Sequence, residues 1–244
     1  MYHFFAPGGE QADGSLLITG ADVKHITRVL RLVPGDQIAV SDNQDRNRLC
    51  EITETGPDFV RLKPLDEALP SAEMNRRVTL FQGLPKSDKM DYIVTKCVEL
   101  GAFSFVPVMM ERSVVKLEEK KKEDRRNRWQ LKAESAAKQC GRSLIPRVEK
   151  VSDFSVALAM AKEMDYLIVP YESAEDMEAT RVLLKEVEAG SSLGVFIGPE
   201  GGFAPREIME LKAAGARLIT LGPRILRTET AGMAFLAMGT LIWE

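Results

Sequence analysis

Val195-Phe196-Ile197-Gly198-Pro199-Glu200-Gly201-Gly202-Phe203 and, a helix length further on, Leu218-Ile219-Thr220-Leu221-Gly222-Pro223-Arg224-Ile225-Leu226-Arg227-Thr228-Glu229-Thr230-Ala231 decide how this chain reads. Each is a short apolar run that ends in a Gly-Pro turn, and each turn leads into a helical pattern, over 205–214 and 229–243. Short apolar runs alternating with helices predict parallel strands. In an open sheet of that kind, ligands sit in the crevice outside the carboxyl ends of the strands. The two Gly-Pro loops are close in the chain and are expected to lie side by side around a ligand.

The alternation extends outward from this stretch. Strands are expected at 78–81, 103–109 and 166–169, and helices at 123–140, 156–164 and 177–189. A further helix carries Met90, Ile93, Val94, Cys97 and Val98 at helical spacing, with Gly101 at its end. Residues 75–244 are therefore read as one α/β domain with a parallel sheet covered by helices on both faces. Its closing helix is apolar nearly all round, through Ala231, Met233, Ala234, Phe235, Leu236, Ala237, Met238, Leu241, Ile242 and Trp243. Such a helix needs burial on more than one side, and a symmetric dimer interface is the expected cover. Upstream, 66–75 has no periodicity and reads as a linker. Residues 1–72 read as a small β-barrel-like module with strands at 16–18, 37–40, 49–53 and 59–62. One short helix is expected at 21–30, followed by Arg31 and the turn Pro34-Gly35-Asp36.

Composition narrows the function. The net charge of −3 is uneven: residues 151–210 carry four basic against twelve acidic side chains, so the rest of the chain sums to +5. That surplus is compatible with a local RNA footprint. The three cysteines, Cys50, Cys97 and Cys140, have neither metal-ligand nor disulfide spacing, and no metal is expected. No apolar run approaches the roughly 18 residues of a membrane helix, and the N-terminal residues lack a secretion signal, so a cytoplasmic protein is expected. The only histidines, His3 and His25, lie in the first module, which disfavours a Ser-His-Asp or Cys-His hydrolase. Gly198-Pro199-Glu200-Gly201-Gly202 matches neither a Walker A loop nor a Gly-x-Gly-x-x-Gly turn, and Glu200 would repel a phosphate. A carboxylate there suits a ligand with a positive centre or hydroxyl donors.

The two Gly-Pro segments together closely resemble the ribosomal RNA small subunit methyltransferase E family, within the SPOUT superfamily. The resemblance extends to Lys86-Ser87-Asp88-Lys89-Met90, Glu99-Leu100-Gly101, Glu111-Arg112-Ser113 and Glu134-Ser135-Ala136-Ala137-Lys138-Gln139-Cys140-Gly141-Arg142. At the front, the segment from His25 to Arg31 resembles part of the family's PUA-like domain; many relatives have an arginine where this chain has His3. The resemblance implies a PUA-like RNA-binding β-barrel domain followed by a SPOUT methyltransferase domain with a deep trefoil knot. It further implies a homodimer formed through the knot and last helix, S-adenosylmethionine as cofactor, and methylation of N3 of a uridine in 16S ribosomal RNA. The partner is then 16S ribosomal RNA or the small ribosomal subunit.

On that reading the cofactor lies in a pocket formed by the two Gly-Pro loops with the strand end Pro170-Tyr171-Glu172, against Ile197, Gly198, Pro199, Glu200, Gly201, Gly202, Leu221, Gly222, Ile225, Leu226, Arg227 and Thr230. N3 of uridine carries a proton and is a poor nucleophile at neutral pH. Transfer therefore needs positioning, proton removal and stabilisation of charge developing on the carbonyl oxygens. Arg112 or Arg227 is expected to steady the base, and Glu200 or Glu134 to accept the proton. Lys24, Arg28, Arg31, Lys86, Lys89 and Arg142 are expected to contact RNA phosphates. Two alternatives stay open: a non-catalytic RNA-binding ribosome-assembly factor, and a SPOUT ribose 2′-O-methyltransferase.

Overall fold

The computed structural model describes residues 1–115, 117–172, 174 and 176–244. The chain divides into two compact units, Met1–Glu73 with Ala137–Ile145, and Met74–Ala136 with Pro146–Glu244.

In the first unit, β1 (His3–Phe5), β2 (Leu16–Thr19), β3 (Gln37–Ser41), β4 (Asn47–Thr55) and β5 (Phe59–Leu69) form one sheet in the order β1-β3-β4-β5-β2. Its inward residues, among them Ile18, Ile38, Val40, Ile52, Val60 and Leu62, enclose a core closed by Val23 and Ile26. Val23 belongs to α1 (Ala21–Lys24), and Ile26 to a π-helical continuation, His25–Val29. The helix expected at 21–30 is thus present but changes its winding halfway. The Leu30 N–H reaches back five residues to the His25 carbonyl at 2.9 Å, and Arg31 then turns left-handed at φ 56°. The expected linker at 66–75 begins inside a strand, because β5 runs on through Pro64 to Leu69. Residues 63–68 lack an apolar alternation since their side chains lie mostly toward solvent.

Residues 137–145, which the sequence reading assigned to the second domain, cluster with the first unit. Glu73 holds them there. Its carboxylate accepts from the Arg142 guanidinium and from the backbone N–H groups of Ser143 and Leu144 at 2.9 and 3.0 Å. Arg142 is only 3% exposed. That burial does not suit the phosphate contact expected of it: it is a buried cation tied to the partly buried Glu73 carboxylate. Asn47 adds a 2.7 Å bond to the Ser143 hydroxyl, and Asn43 accepts from the Ile145 N–H at 2.7 Å.

The second unit is built on a seven-stranded, wholly parallel sheet. Its strands are β6 (Arg77–Gly83), β7 (Ser104–Met109), β8 (Arg147–Val148), β9 (Ser152–Asp153), β10 (Tyr166–Pro170), β11 (Ser192–Ile197) and β12 (Arg217–Ile219), in the order β12-β10-β11-β6-β7-β8 with β9 also beside β7. Between them run α2 (Lys89–Glu99), α3 (Glu119–Cys140), α4 (Phe154–Ala161), α5 (Met177–Glu186) and α6 (Pro205–Ala213), with α7 (Thr228–Trp243) at the end. The central strands are buried on both faces, as parallel sheets require; Phe81 and Phe196 stack with ring centres 4.6 Å apart. One expectation changes here. β10 lies between β11 and β12, so the two Gly-Pro loops flank a third strand end and do not adjoin.

α7 buries one stripe, Thr228, Gly232, Phe235, Leu236, Gly239 and Trp243. The Trp243 indole N–H donates to the Leu184 carbonyl at 2.7 Å, and the Arg76 guanidinium sits 5.7 Å above its ring. The opposite side stays open, with Leu241 86% exposed. Among the described residues no helix is long and apolar enough to cross a membrane.

Removing one partner of a buried ion pair strands the other charge, at a cost of about 3–5 kcal/mol. Glu73→Ala is therefore expected to loosen the first unit by about that amount. Hydrogen exchange should quicken in β3, β4 and residues 143–145, and unchanged protection there would refute the clamp.

Candidate functional site

A cavity of about 920 Å³ opens at the carboxyl ends of β11, β10 and β12. Its walls are residues 197–203 from the first Gly-Pro loop, 220–228 from the second, and Pro170, Tyr171 and Glu172 from the strand between them. Lys89, Arg112, Ala174, Met177, Pro205 and Ala231 add to the lining.

Each loop is shaped by its own short-range bonds. In the first, the Gly202 N–H donates to the Pro199 carbonyl at 2.9 Å. In the second, the Thr220 hydroxyl accepts from the Gly222 N–H at 3.1 Å, while the Thr180 hydroxyl accepts from the Thr220 N–H at 3.2 Å. Gly202 and Gly222 sit at φ +68° and +108°, a region glycine enters without a Cβ penalty. One side chain joins the loops directly. The Thr228 hydroxyl donates to the Gly198 carbonyl at 2.6 Å and accepts from Gln82 Nε2 at 2.9 Å, and both side chains are buried.

The sequence-predicted set separates into three groups. Ile197, Gly198, Pro199, Glu200, Gly201, Gly202, Leu221, Gly222, Ile225, Leu226, Arg227 and Arg112 all line the cavity, although Ile225 is 85% exposed. Thr230 does not line it; its N–H bonds the Arg227 carbonyl at 2.8 Å within the first turn of α7, and the wall residue is Thr228. Glu134, on α3, does not line it either. Lys24, Arg28 and Arg31 are exposed on the first unit, where the His3 ring packs edge-on against Phe5 at 5.1 Å.

Arg112 is held by a residue that sequence reasoning missed. Glu207 is 4% exposed. One of its oxygens accepts from the Ala204 N–H and the other from the Glu111 N–H, both at 2.8 Å. The same carboxylate thus caps α6 and fixes the turn that carries Arg112, whose Nη1 reaches the Gly201 carbonyl at 3.3 Å. The only sequence signal was a Glu in the first turn of a helix opened by Pro205.

Glu200 is engaged through Oε1. It accepts from the Lys86 N–H at 3.0 Å and pairs with Lys89 Nζ at 3.2 Å. Burial pushes its carboxyl up, but backbone hydrogen bonds and the Lys89 ammonium outweigh that and hold it below the ordinary value of 4.5. Because the folded value is depressed, its contribution to stability is present above that value and lost as pH falls through the lower, folded one. A carboxylate so held is a weak base. Among the described lining residues the charges are Lys89, Arg112, Arg224 and Arg227 against Glu172 and Glu200, a surplus of two positive charges. With no histidine or cysteine among the described lining residues, the site is built to position and polarise rather than to attack covalently.

The RNA methyltransferase domain family matches residues 72–239, and the RNA methyltransferase PUA domain family matches residues 18–65. The chain is 37% identical to the ribosomal RNA small subunit methyltransferase E of Bacillus subtilis (strain 168) over 217 residues, 88% of this chain and 85% of that protein. A crystal structure described as that of a hypothetical protein is 35% identical with a TM-score of 0.92, covering 99% of this chain and 98% of the other. The ribosomal RNA small subunit methyltransferase E of Neisseria gonorrhoeae, bound to S-adenosyl methionine, is 28% identical with a TM-score of 0.84, covering 100% of this chain and 98% of the other.

Thr228→Val keeps the shape but takes one acceptor from the buried Gln82 amide, which keeps the Gly83 carbonyl, and the donor from the Gly198 carbonyl, a loss of about 1–3 kcal/mol. Thr228→Ser restores the hydroxyl and is expected to recover most of it. Thermal melts of the two variants check this, and a Val variant as stable as the parent would refute it.

Proposed function

The chain belongs to the ribosomal RNA small subunit methyltransferase E family, and on that footing we propose that it methylates N3 of a uridine in 16S ribosomal RNA, using S-adenosylmethionine. One observation carries the proposal: both Gly-Pro motifs on which the resemblance rests converge, with the end of β10, on a single cavity. The residues present suit the cofactor. Ile197, Leu221 and Leu226 offer apolar walls for a purine, the glycines leave backbone groups within reach of its polar edge, and Glu172 and Glu200 favour a positive centre.

When bound, S-adenosylmethionine supplies an electrophilic methyl group on a sulfonium sulfur. The protein's share is to present the uridine and favour loss of its N3 proton. With Glu134 away from the cavity and Glu200 paired to Lys89, neither is retained as the proton acceptor. In their place we infer that the positive rim, Arg112 and Arg227 foremost, stabilises the uridine as its anion and lets the proton pass to solvent. Arg227 stands at the N-terminus of α7, where the helix dipole adds to its field. Lys24, Arg28 and Arg31 contact RNA phosphates. The open side of α7, with Ala237 and Leu241, pairs with a second copy, and the segment from β11 to α7 is knotted as in SPOUT enzymes. Work on ribosomal RNA puts the protein in the cytoplasm.

Incubation with small subunits and labelled S-adenosylmethionine, followed by nucleoside analysis, is expected to give 3-methyluridine. A 2′-O-methyl product or no transfer would overturn the reading, the latter in favour of an assembly factor. Arg112→Ala and Arg227→Ala are each expected to lower kcat about 10²-fold; full activity in both would remove them from the mechanism. Replacing Lys24, Arg28 and Arg31 together by Ala should reduce the salt dependence of RNA binding by about two in log–log slope, at roughly 0.7 per single-strand contact. Leu241→Glu is expected to shift the protein from dimer to monomer in light scattering, and a parent that is already monomeric would refute the interface.

A further inference from the structure

Sequence reasoning placed Lys89 among the phosphate contacts, but its surroundings describe a different task. Its ammonium lies 3.2 Å from Glu200 in the first Gly-Pro loop and 3.1 Å from Glu229 in the first turn of α7. We propose that Lys89 is a positioning residue for the cofactor cavity, a strut whose bridge between Glu200 and Glu229 holds the first Gly-Pro loop against the start of α7. The inference deepens the reading of the cavity as a methyl-donor site and rests on it.

Three independent features brace the same joint. Gly83, at the end of β6, is overlain so closely by Pro199 that a Cβ there would come within 2.7 Å of the Pro199 backbone nitrogen. The Lys86 N–H donates to the same Glu200 oxygen that Lys89 meets. Ser87, between them, is held left-handed at φ 56°, a conformation that costs a non-glycine residue energy and persists only where its neighbours impose it. The segment from Gly83 to Lys89 is thus bent to deliver one backbone donor and one ammonium to Glu200.

Electrostatics argue against a phosphate at the same ammonium. A phosphate approaching Nζ would meet two carboxylates already within 3.2 Å of it, and would have to displace one or be repelled by both. Hydrogen bonding to Glu229 and Glu200 also raises the Lys89 pKa above its ordinary value, so the strut stays charged throughout the neutral range. The carboxylates gain in turn from the N-terminal ends of α2 and α7, where negative charge is favoured. Without the ammonium, Glu200 and Glu229 would face each other unscreened at the mouth of the cavity. The Gly-Pro loop would then have to be ordered by the ligand itself, at the expense of affinity.

The test uses the full-length protein with Lys89→Met, Lys89→Arg and Glu200→Gln. Isothermal titration with S-adenosylmethionine reads the cavity, and the salt dependence of RNA binding reads the phosphate contacts. Lys89→Met is expected to weaken cofactor binding about tenfold while leaving the RNA salt slope unchanged. Lys89→Arg, whose guanidinium can span both carboxylates, should recover most of the affinity. Glu200→Gln should weaken the cofactor similarly, and the double variant Lys89→Met with Glu200→Gln should be little worse than either alone, because both remove one joint. Unchanged cofactor affinity in Lys89→Met, with a salt slope lower by about 0.7, would overturn the proposal in favour of a phosphate contact. An arginine variant as weak as the methionine variant would also overturn it. A parent protein that takes up no S-adenosylmethionine would overturn this inference together with the reading beneath it.

Discussion

The hydrogen bond from the Thr228 hydroxyl to the Gly198 carbonyl joins two loops that the sheet keeps apart. β10 separates β11 from β12, so nothing in the strand ladder brings the Gly-Pro turns together. Closure depends on α7 beginning where the second loop ends, with its first residue reaching back to the first loop. Gln82 supports that residue from beneath, out of a strand on the far side of β11. The cavity therefore owes its form to contacts among segments remote in sequence, which is why its walls are short loops and its floor is a rigid sheet.

The same arrangement sorts the charged groups by what they can do. Carboxylates near the cavity are spent on structure: Glu207 on capping α6 and anchoring the Arg112 turn, Glu200 and Glu229 on the Lys89 bridge. Among the described lining residues, Arg112, Arg224 and Arg227 then stand against the carboxylate of Glu172. Such a positive excess favours a substrate that becomes more negative as it reacts. Deprotonation of a uridine is such a change, and it needs no dedicated base if the field at the base is strong enough.

Much of the fold was legible in the sequence because the second unit obeys simple periodicities. The apolar spacing of Met90, Ile93, Val94, Cys97 and Val98 and the β-rich runs at 166–169 and 195–197 correspond to one buried helix face and two buried strands. What escaped was non-local. Strand order cannot be read from spacing, so only the family resemblance brought Pro170-Tyr171-Glu172 to the loops, and nothing placed β10 between them. Pro64 and the charges after it hid the outer half of β5. Arg142 looked like any surface arginine because its partner, Glu73, lies 69 residues away. Of the site, the loops carried their own glycine and proline punctuation, whereas Glu207 and Lys89 take their roles from contacts made only after folding. Thr230 was preferred to Thr228 for want of the helix phase, which only the packing of α7 defines.

The return of residues 137–145 to the first unit also bears on how the chain is made. A nascent chain emerging from the ribosome exposes Met1–Glu73 first, but the residues that satisfy Glu73, Asn47 and Ser41 follow only about seventy residues later. At about 5–20 residues per second, that is a wait of roughly 4–14 s. Through this interval the Glu73 carboxylate lacks the Arg142 guanidinium and the Ser143 and Leu144 N–H groups that it accepts from in the folded chain. Completion of the first unit during synthesis therefore waits on residues 137–145, after most of α3 has been made.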